Sequence, residues 1–291
     1  MIRLSDYLQT KYGEKVYKIA LSSGCACPNR DGTAGWGGCT FCSEGGSGEF
    51  AQKAVDIDTQ IEEGKKLIAA KTNAAHFIAY FQSFTNTYGD LETLKALYLK
   101  TIQREDIAIL SLATRPDCLS DEMIRMLTEL NRIKPVWIEL GLQTIHERTA
   151  EEINRCYPLE VFEDAYRRLK EAGIEVIVHV IFGLPGETKD MIIGTIRYLS
   201  NLDPPLDGIK IQMLQLLKHT KMARDFQENP WPMLSLEEYT DLVAKSLHLL
   251  PDKTVVHRIT GDPPGRLLIE PWWTRNKKKV LNTIWKKYRD T

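Results

Sequence analysis

Four of the six cysteines of this 291-residue chain lie between residues 25 and 42, in a stretch that is also rich in glycine. Cys39 and Cys42 form a CxxC pair, and Cys27 precedes them across the loop. Three thiolates so close in sequence can share one soft metal centre. When three ligands hold a four-iron cluster, one iron stays open for a substrate or cofactor. This stretch therefore indicates a chain folded around a metal centre.

Two other interpretations of these cysteines stay open at this point. A CxxC pair is a common half-site of structural zinc. A disulfide is the weaker alternative, because nothing else in the sequence indicates an oxidising compartment. Cys25 adds an ambiguity of its own, since it lies two residues before Cys27 and could compete with it as a ligand.

Composition sets broad limits on partners and compartment. The formal net charge is −1, so no overall basic field indicates nucleic acid, although a local patch could still serve. The first residues lack the apolar segment of a signal peptide, and no apolar run reaches membrane-spanning length. We therefore expect a protein of the reducing cytoplasm with no membrane partner.

The hydrophobic pattern predicts six strands that alternate with helices. The predicted strands are 15–21, 76–81, 107–113, 136–141, 175–182 and 208–214. The predicted helices between them are 59–71, 91–103, 121–132, 159–172 and 188–202. Such alternation implies parallel pairing through right-handed crossovers. Six βα units are too few for a closed eight-fold barrel, so the fold class is α/β with an open, partial barrel of TIM type.

Polar and glycine-containing segments follow the predicted strands. Gln82 and Thr85 follow the second strand, residues 114–117 the third, Gln143 the fourth, and residues 183–187 the fifth. In parallel α/β folds the ligand lies beyond the carboxyl ends of the strands. The first strand leads into the cysteine stretch, so one site that collects all these segments is the simplest interpretation.

Eight segments, spread in order over most of the chain, together carry a resemblance to a known family. They are Cys27-Pro-Asn-Arg-Asp-Gly-Thr33, Gly38-Cys-Thr-Phe-Cys42, Tyr80-Phe-Gln82, Thr85-Asn-Thr-Tyr88, Thr114-Arg-Pro-Asp117, Glu139-Leu-Gly-Leu-Gln143, Gly183-Leu-Pro-Gly-Glu187 and His257-Arg-Ile-Thr-Gly-Asp262. The set resembles the radical SAM (S-adenosylmethionine) superfamily, in the branch related to the catalytic subunit of Elongator and of the YtqA/YhcC type. The loop after Cys27 is longer than in the common radical SAM motif, as in that branch.

The resemblance implies a partial (βα)6 radical SAM barrel with a [4Fe–4S] cluster on Cys27, Cys39 and Cys42, with Cys25 as a neighbouring thiol. It also implies S-adenosylmethionine on the open iron and an electron from flavodoxin or ferredoxin, which together yield a 5′-deoxyadenosyl radical. The protein supplies orientation, cluster potential and exclusion of water. The residues implied to contact this cofactor are Phe41 (at the adenine), Gln82, Thr85, Glu139, Gln143, Gly183, Leu184 and Pro185.

Polar residues in strands predicted to be buried need partners, because unpaired burial costs roughly a few kcal/mol. For Glu139 and Gln143 the partners are either the hydroxyl and amine groups of the cofactor or a network within the protein. His179 is expected to be a hydrogen-bonded core histidine, and the isolated Cys118 and Cys156 are expected to be structural.

The substrate implied by the resemblance is tRNA. Elongator relatives act on wobble uridine but carry an acetyltransferase domain, for which we expect no room in this chain. The YtqA type implies maturation of the 5-carboxymethylaminomethyl side chain to the aminomethyl form. One alternative is a radical SAM enzyme acting on a small metabolite or peptide. Another is a non-catalytic zinc-binding nucleic-acid module.

Residues 216–291 are predicted to form an α/β extension packed on a barrel of residues 1–215. The extension begins with a helix at 236–250 and ends in a basic segment interleaved with aromatics. That segment is either a solvated helix docked through apolar residues such as Val280 and Ile284, or a surface that holds RNA phosphates and stacks on bases. The candidate substrate-binding residues are His257, Arg258, Asp262, Lys277, Lys278 and Lys279, of which the first three are expected to line one entrance.

Overall fold

The computed structural model describes residues 1–46, 48, 51, 56–69 and 74–290. Its centre is an eight-stranded sheet in the order β1-β9-β7-β6-β5-β4-β3-β2, in which every neighbouring pair is parallel. Those strands are β1 (Ile2–Arg3), β2 (Tyr17–Leu21), β3 (Phe77–Phe81), β4 (Ile107–Thr114), β5 (Val136–Gln143), β6 (Glu175–Phe182), β7 (Gly208–Met213) and β9 (Val255–Arg258). A separate antiparallel pair is formed by β8 (Leu216–Leu217) and β10 (Leu268–Glu270).

Helices connect the strands and cover the outside of the sheet. They are α1 (Leu4–Tyr12), α2 (Pro28–Asp31), α3 (Ile57–Ile68), α4 (Leu91–Ile102), α5 (Asp121–Asn131), α6 (Glu147–Glu152), α7 (Leu159–Glu171), α8 (Lys189–Ser200), α9 (Lys221–Glu228), α10 (Leu236–Leu249) and α11 (Lys277–Asp290). Side chains that accept hydrogen bonds from the first turn fix several helix starts, as Ser120 does for α5 and Thr188 for α8. The predicted helix 59–71 matches α3 as far as residue 68, and residues 70 and 71 lie outside the described ranges.

The six predicted strands are confirmed as β2 to β7, and the partial barrel is confirmed with them. The structure adds β1 and β9 at one edge of the sheet, where β9 pairs with β7 and β1 pairs with β9. These two strands are short, so neither gives an alternating pattern long enough to detect in the sequence. Because β9 comes from the C-terminal part, that part contributes to the barrel sheet itself, and a domain boundary between residues 215 and 216 stays a prediction.

The two faces of the sheet differ in chemistry. Alternate residues such as Leu140, Val178 and Ile211 point to the helices and are fully buried in one large apolar core. The residues between them, such as Glu139 and Lys210, point into the concave side of the sheet. Side chains of a strand alternate between its faces, so this pattern gives the barrel an apolar shell and a polar interior.

Helix α1 closes the lower end of the barrel, where the strands begin. Leu8 of α1 lies in a second apolar cluster with Ile78, Trp137 and Ile177 from three strands. The ring of Tyr7 lies 6.2 Å from that of Trp137. The barrel interior is therefore sealed at this end, and its upper end is the side where the strands lead into the motif segments.

The C-terminal helix α11 docks on the barrel through α10. Its Val280 and Ile284 are fully buried in the main core, and Trp285 packs against it, while Lys278 and Lys279 face solvent. The docking predicted for this helix is therefore present, and its opposite face is free for charged residues. In the described ranges, none of the helices has the length and apolarity that a membrane crossing requires.

Candidate active site

One cavity of about 490 Å³ occupies the upper half of the barrel interior. Its walls come from the inner face of the sheet and from the cysteine loop that follows β2. The predicted site residues that line it are Cys27, Cys39, Phe41, Cys42, Gln82, Thr85, Glu139, Gln143, Arg258 and Asp262. The structure thus brings together residues from most of the motif segments, as the single-site interpretation expects.

The cysteine loop folds as two tight turns around the three thiols. Cys27 precedes the short helix α2, and its carbonyl accepts a hydrogen bond from the Arg30 amide at 2.8 Å. In the CxxC pair, the Cys42 amide donates to the Cys39 carbonyl at 2.9 Å. Cys27, Cys39 and Cys42 line the same cavity, and none of the three forms a disulfide. Within the described ranges no three His, Cys, Asp or Glu side chains stand close enough together to hold a single metal ion.

Asparagines hold the cysteine loop against the segment after α6. The Asn29 side chain is fully buried, and its Nδ2 donates to the Asn154 carbonyl at 2.6 Å and lies 3.6 Å from the Cys39 sulfur. In return, the Asn154 side chain donates to the carbonyls of Trp36 and Gly38 at 3.0 and 2.8 Å. Asn154 has a φ of 55°, which asparagine tolerates better than most residues. These bonds fix the loop backbone, and the Asn29 amide also contacts the Cys39 sulfur.

Arg30 braces the other end of the loop. Its guanidinium donates to the carbonyls of Ser43, Cys42 and Glu44 and lies 5.2 Å from the centre of the Phe84 ring. A planar guanidinium offers several donors in a fixed fork, so one side chain can hold three successive carbonyls. Arg30 therefore shapes the backbone directly after the last cysteine of the motif.

Cys25 lies apart from the other three thiols. It does not line the cavity but packs against the main core, and Gly89 lies beside its sulfur. Burial raises the pKa of the Cys25 thiol, although Ser23 opposes this. The geometry supports Cys27 over Cys25 as a cluster ligand, and that assignment stays a prediction.

Burial also raises the pKa of one thiol of the cavity. The pKa of Cys39 is raised to about 12, with Cys42 adding to the effect and Arg115 opposing it. The free thiol is therefore protonated at neutral pH, so a metal must displace its proton on binding. Arg115 lines the cavity and makes a two-point ion pair with Asp117 at 2.6 and 2.9 Å. That pair outweighs burial and raises the pKa of Arg115 above its usual value.

The segments after β3 and β5 come within reach of the cysteine loop. The Thr85 amide donates to the Ala26 carbonyl at 3.3 Å, next to Cys27. Gln143 has a φ of 65°, in the left-handed region that only a few per cent of non-glycine residues adopt. The Tyr157 hydroxyl lies 3.1 Å from Gln143 Oε1 and holds this side chain at the cavity wall. Strain of this kind often accompanies functional positions.

The residues after β6 lie one layer behind the cavity wall. Leu184 is buried in a small apolar cluster against which Phe41 packs, so it supports Phe41 from behind. Gly183 has a φ of 86°, and a Cβ added there would contact Leu234 at 3.1 Å. Gly183, Leu184 and Pro185 are not among the residues that line the cavity, and their contact with the cofactor stays a prediction.

A buried ionic network forms the lower wall of the cavity, centred on Glu139. Lys18 Nζ lies 2.5 Å from Oε1, which also accepts from Ser111 Oγ at 2.8 Å. His179 Nε2 lies 2.8 Å from Oε2, and Lys210 forms an ion pair with the same oxygen. The network within the protein, one of the two alternatives for Glu139, is therefore present, while its contact with the cofactor stays a prediction.

The charges of this network follow from its burial. Burial opposes ionisation of Glu139, but Lys18 and Lys210 hold the pKa of its carboxyl well below the usual range. Burial and the neighbouring Lys210 lower the pKa of His179 to about 4. The Nζ atoms of Lys210 and Lys18 lie 4.2 and 4.7 Å from the centre of the Tyr80 ring, which stabilises a cation. His179 is thus hydrogen-bonded as expected, but it lines the cavity.

The candidate substrate-binding residues divide into three groups. Arg258 and Asp262 line the cavity. His257 differs from the expectation that it lies at the entrance, because its ring packs 4.9 Å from that of Trp137, toward the sealed end. Lys277 forms an ion pair at 2.7 Å with Asp262 of the cavity wall, and Lys278 and Lys279 are the next residues of α11 and are exposed.

Sequence reasoning did not select several of the residues described here. They are Lys18, Tyr80, Arg115, Lys210 and the loop-holding Asn29, Arg30 and Asn154. Lys18 and Lys210 also carry a signal of their own, since each is the single charged residue of its strand. A lysine is almost never fully buried unless paired, so each lysine implied a partner on another strand.

Comparison with known proteins gives matches along the whole chain. The profile described as Radical SAM superfamily matches residues 24–199, and the Radical_SAM C-terminal domain matches residues 206–290. The sequence is 43% identical over 282 residues to the uncharacterized protein YtqA of Bacillus subtilis (strain 168), across 97% of this chain and 87% of that protein.

Two further matches concern Elongator. Elongator complex protein 3 of Dictyostelium discoideum is 28% identical over 162 residues, across 55% of this chain and 28% of that protein. The solved structure of the archaeal Methanocaldococcus infernus Elp3 superposes with a TM-score of 0.70 at 16% identity, across 94% of this chain and 63% of the other. The latter match shows a shared fold.

Proposed function

Since the chain belongs to the radical SAM superfamily, we propose that it modifies tRNA by converting the 5-carboxymethylaminomethyl group of a wobble uridine to the aminomethyl form. The predicted resemblance to this superfamily, and to its Elongator-related branch, is confirmed. The proposal extends that membership to one substrate and one reaction. The bond between the amine nitrogen and the carboxymethyl carbon breaks: overall, the substrate loses two electrons to S-adenosylmethionine, takes up water and releases the two-carbon unit as glyoxylate, with methionine and 5′-deoxyadenosine as the reduced products.

The cofactors of this family are a [4Fe–4S] cluster and S-adenosylmethionine. The cysteines are therefore interpreted as cluster ligands and no longer as a structural zinc site. When bound and reduced by a flavodoxin or ferredoxin, they supply a 5′-deoxyadenosyl radical that takes a hydrogen atom from the substrate. Cys27, Cys39 and Cys42 would hold the cluster, because these three thiols share one cavity while Cys25 packs away from it. Three ligands leave one iron open for the cofactor.

The remaining residues of the cavity would position the reactants. Phe41, Thr85 and Gln143 lie on walls beside the cysteine loop, where they would contact S-adenosylmethionine. Helix α1 and the apolar cluster around Trp137 seal the opposite end and keep bulk water out from below. The substrate must therefore enter from the side that carries the cysteine loop and Asp262.

The observation that carries the tRNA assignment is the basic surface at this entrance. The Lys277–Asp262 ion pair ties the first turn of α11 to the cavity wall, and the exposed Lys278 and Lys279 follow in the same turn. Lysines there would hold RNA phosphates while one base leaves its stack, a step that costs about a few kcal/mol. Trp36 on the cysteine loop is 75% exposed and would offer a ring on which a base can stack.

The experiment is conversion in vitro. Reconstituted and reduced protein receives S-adenosylmethionine and tRNA that carries the carboxymethylaminomethyl group, and the nucleosides are analysed by mass spectrometry. We expect aminomethyluridine to appear with wild-type protein and not with the Cys39→Ala variant. Release of 5′-deoxyadenosine with unchanged tRNA nucleosides would contradict the proposal and favour a small metabolite or a peptide as the substrate.

A further inference from the structure

The lower wall of the cavity contains more positive than negative charge. We call Lys18, Glu139, His179, Lys210 and Arg258 the floor. Its two lysines and one arginine outnumber its one carboxylate, and burial and Lys210 lower the pKa of its histidine to about 4. The side chains of Lys18, Glu139 and Lys210 are only 20%, 0% and 3% exposed. An unbalanced set of charges is costly at such depth unless a further anion joins it.

Both carboxylate oxygens of Glu139 already have two polar contacts each, so they have no position left to accept from Arg258. One of its oxygens contacts Lys18 and Ser111, and the other contacts His179 and Lys210. In the described part of the chain, no Asp or Glu lies within ion-pair distance of Arg258, although its guanidinium lines the cavity. The guanidinium therefore faces the cavity with donors that an entering ligand can use.

The backbone places Arg258 beside Lys210. The β7–β9 pairing shifts between Ile209 and Lys210, so that Lys210 faces Arg258 and His257 is the extra residue of a bulge. Bulges are common next to active sites, where they re-aim a side chain. Without this one, strand alternation would turn Arg258 to the outer face. Two basic groups side by side on one face disfavour each other's charged form. Burial lowers the pKa of Lys210, Lys18 and Arg258 add to this effect, and Glu139 opposes it.

We propose that Lys18, Lys210 and Arg258 bind the carboxylate of the substrate side chain and thereby distinguish the carboxymethylaminomethyl group from the aminomethyl group. A carboxylate supplies the missing negative charge and accepts two hydrogen bonds from a guanidinium. The aminomethyl product is cationic, so the same floor repels it. This inference rests on the function proposed above and adds the residues that select the substrate.

The depth of the floor fits such a role. Lys18 lies three residues before the strand end at Leu21, which corresponds to roughly 10 Å. The cysteine loop begins beyond that end. A side chain held by its terminal carboxylate at the floor would therefore extend toward the loop, with its reacting carbon between the two.

Binding of anticodon stem-loop RNA tests the inference without turnover. Stem-loops with either the carboxymethylaminomethyl or the aminomethyl group are titrated into reconstituted, unreduced protein. We expect wild-type protein to bind the carboxylate form at least tenfold more tightly, and we expect Arg258→Gln to bring the ratio near one. Lys245→Met, which removes an exposed lysine of α10, is the matched control and should keep the wild-type ratio.

The choice of variants separates a loss of substrate preference from a loss of folding. Arg258→Gln leaves the contacts of Glu139 intact, so it is the deciding variant. Lys210→Met alone would unbalance Glu139, and it is therefore paired with Glu139→Gln; the double variant should also lose the preference. An Arg258→Gln protein that keeps the tenfold preference would overturn the inference. A tenfold loss of S-adenosylmethionine affinity in that variant, measured by equilibrium dialysis, would assign the floor to the cofactor and overturn it as well.

A separate arm distinguishes this inference from the proposed function. If wild-type protein binds neither stem-loop, the tRNA assignment fails, and the floor is tested with sodium acetate against sodium chloride at equal ionic strength. A melting temperature that acetate raises in wild type but not in Arg258→Gln would support a carboxylate site for another substrate. Equal shifts in the two proteins would overturn the floor inference.

Discussion

The cysteine loop and the floor lie at opposite ends of one cavity and are built in different ways. The loop, with Cys27, Cys39 and Cys42, is held by Asn29 and Arg30, which donate hydrogen bonds to backbone carbonyls, and Asn29 also donates to the Cys39 sulfur. The floor is held by charges on rigid strands that meet at one carboxylate. The difference indicates two separate roles: the backbone of the loop is shaped to receive a cluster, whereas the fixed charges of the floor recognise a charged group.

The largest expected effect concerns the loop. Alanine at Cys27, Cys39 or Cys42 should reduce iron from about four atoms per chain to nearly none after anaerobic reconstitution, because two thiolates cannot replace three. The measurement is iron content together with the thiolate-to-iron absorption band. Cys25→Ala is the matched control and should keep its iron. Loss of iron in Cys25→Ala with retention in Cys27→Ala would reverse the ligand assignment.

The next effect concerns the floor and stability. Glu139→Gln leaves Lys18 and Lys210 buried without a counter-charge, which we expect to lower the free energy of unfolding by about 3–5 kcal/mol. Chemical denaturation of the full chain measures this. Adding Lys210→Met should recover part of the loss, since one of the unpaired charges is then removed. A Glu139→Gln protein as stable as wild type would show that the network is not the charged structure described here.

A smaller effect should appear with pH. His179 has a folded-state pKa of about 4, lowered first by burial, against an ordinary value of 6.5. The unfolded chain therefore binds a proton before the folded chain does, and stability should fall as pH decreases from about 6.5 to 4, by on the order of 3 kcal/mol. Denaturation at several pH values measures the slope, which His179→Gln should flatten. An unchanged slope in that variant would show that the lowered pKa of His179 is not the source of this pH dependence.

Glu187 provides the control of opposite sign. Burial raises the pKa of its carboxyl to about 6, so its contribution to stability is present below about 4.5 and is lost as pH rises through 6. Glu187→Gln removes this contribution, which is opposite in sign to the contribution of His179. The variant should therefore lose stability more steeply than wild type as pH falls through the same range.

The smallest effect concerns the entrance. Charge reversal at Lys278 and Lys279 should weaken tRNA binding and reduce the slope of log affinity against log salt by about one for each lost phosphate contact. Affinity at several salt concentrations measures both, with iron content as the check on folding. Reversal at Lys286, which is exposed near the far end of α11, is the control and should have little effect. Equal slopes in all three proteins would leave α11 as a solvated helix.

The comparison of loop and floor also explains what the sequence could predict. The loop residues follow one another along the chain, so spacing and motif reveal Cys27, Cys39 and Cys42 together. The floor joins residues far apart in sequence, since Glu139 lies 121 residues from Lys18 and 71 from Lys210. Only the strand register brings them together, and a single sequence does not contain that register.

His257 and Arg258 show the same limit at closer range. They are adjacent in sequence and were expected to lie at one entrance, yet one ring packs toward Trp137 and the other side chain lines the cavity. The bulge in β9 sets the directions of these two side chains, and the local sequence pattern does not predict a bulge. Motifs therefore located the site, while the strand pairing determined which neighbours serve it.

A substrate side chain that spans the cavity from the floor to the cysteine loop would present its carbon atoms to the 5′-deoxyadenosyl radical. The measurement uses a stem-loop whose carboxymethylaminomethyl group is fully deuterated, given to reduced wild-type protein with S-adenosylmethionine. We expect 5′-deoxyadenosine that carries one deuterium from the side chain, detected by mass spectrometry. Release of 5′-deoxyadenosine without deuterium, while the stem-loop is bound, would contradict this expectation.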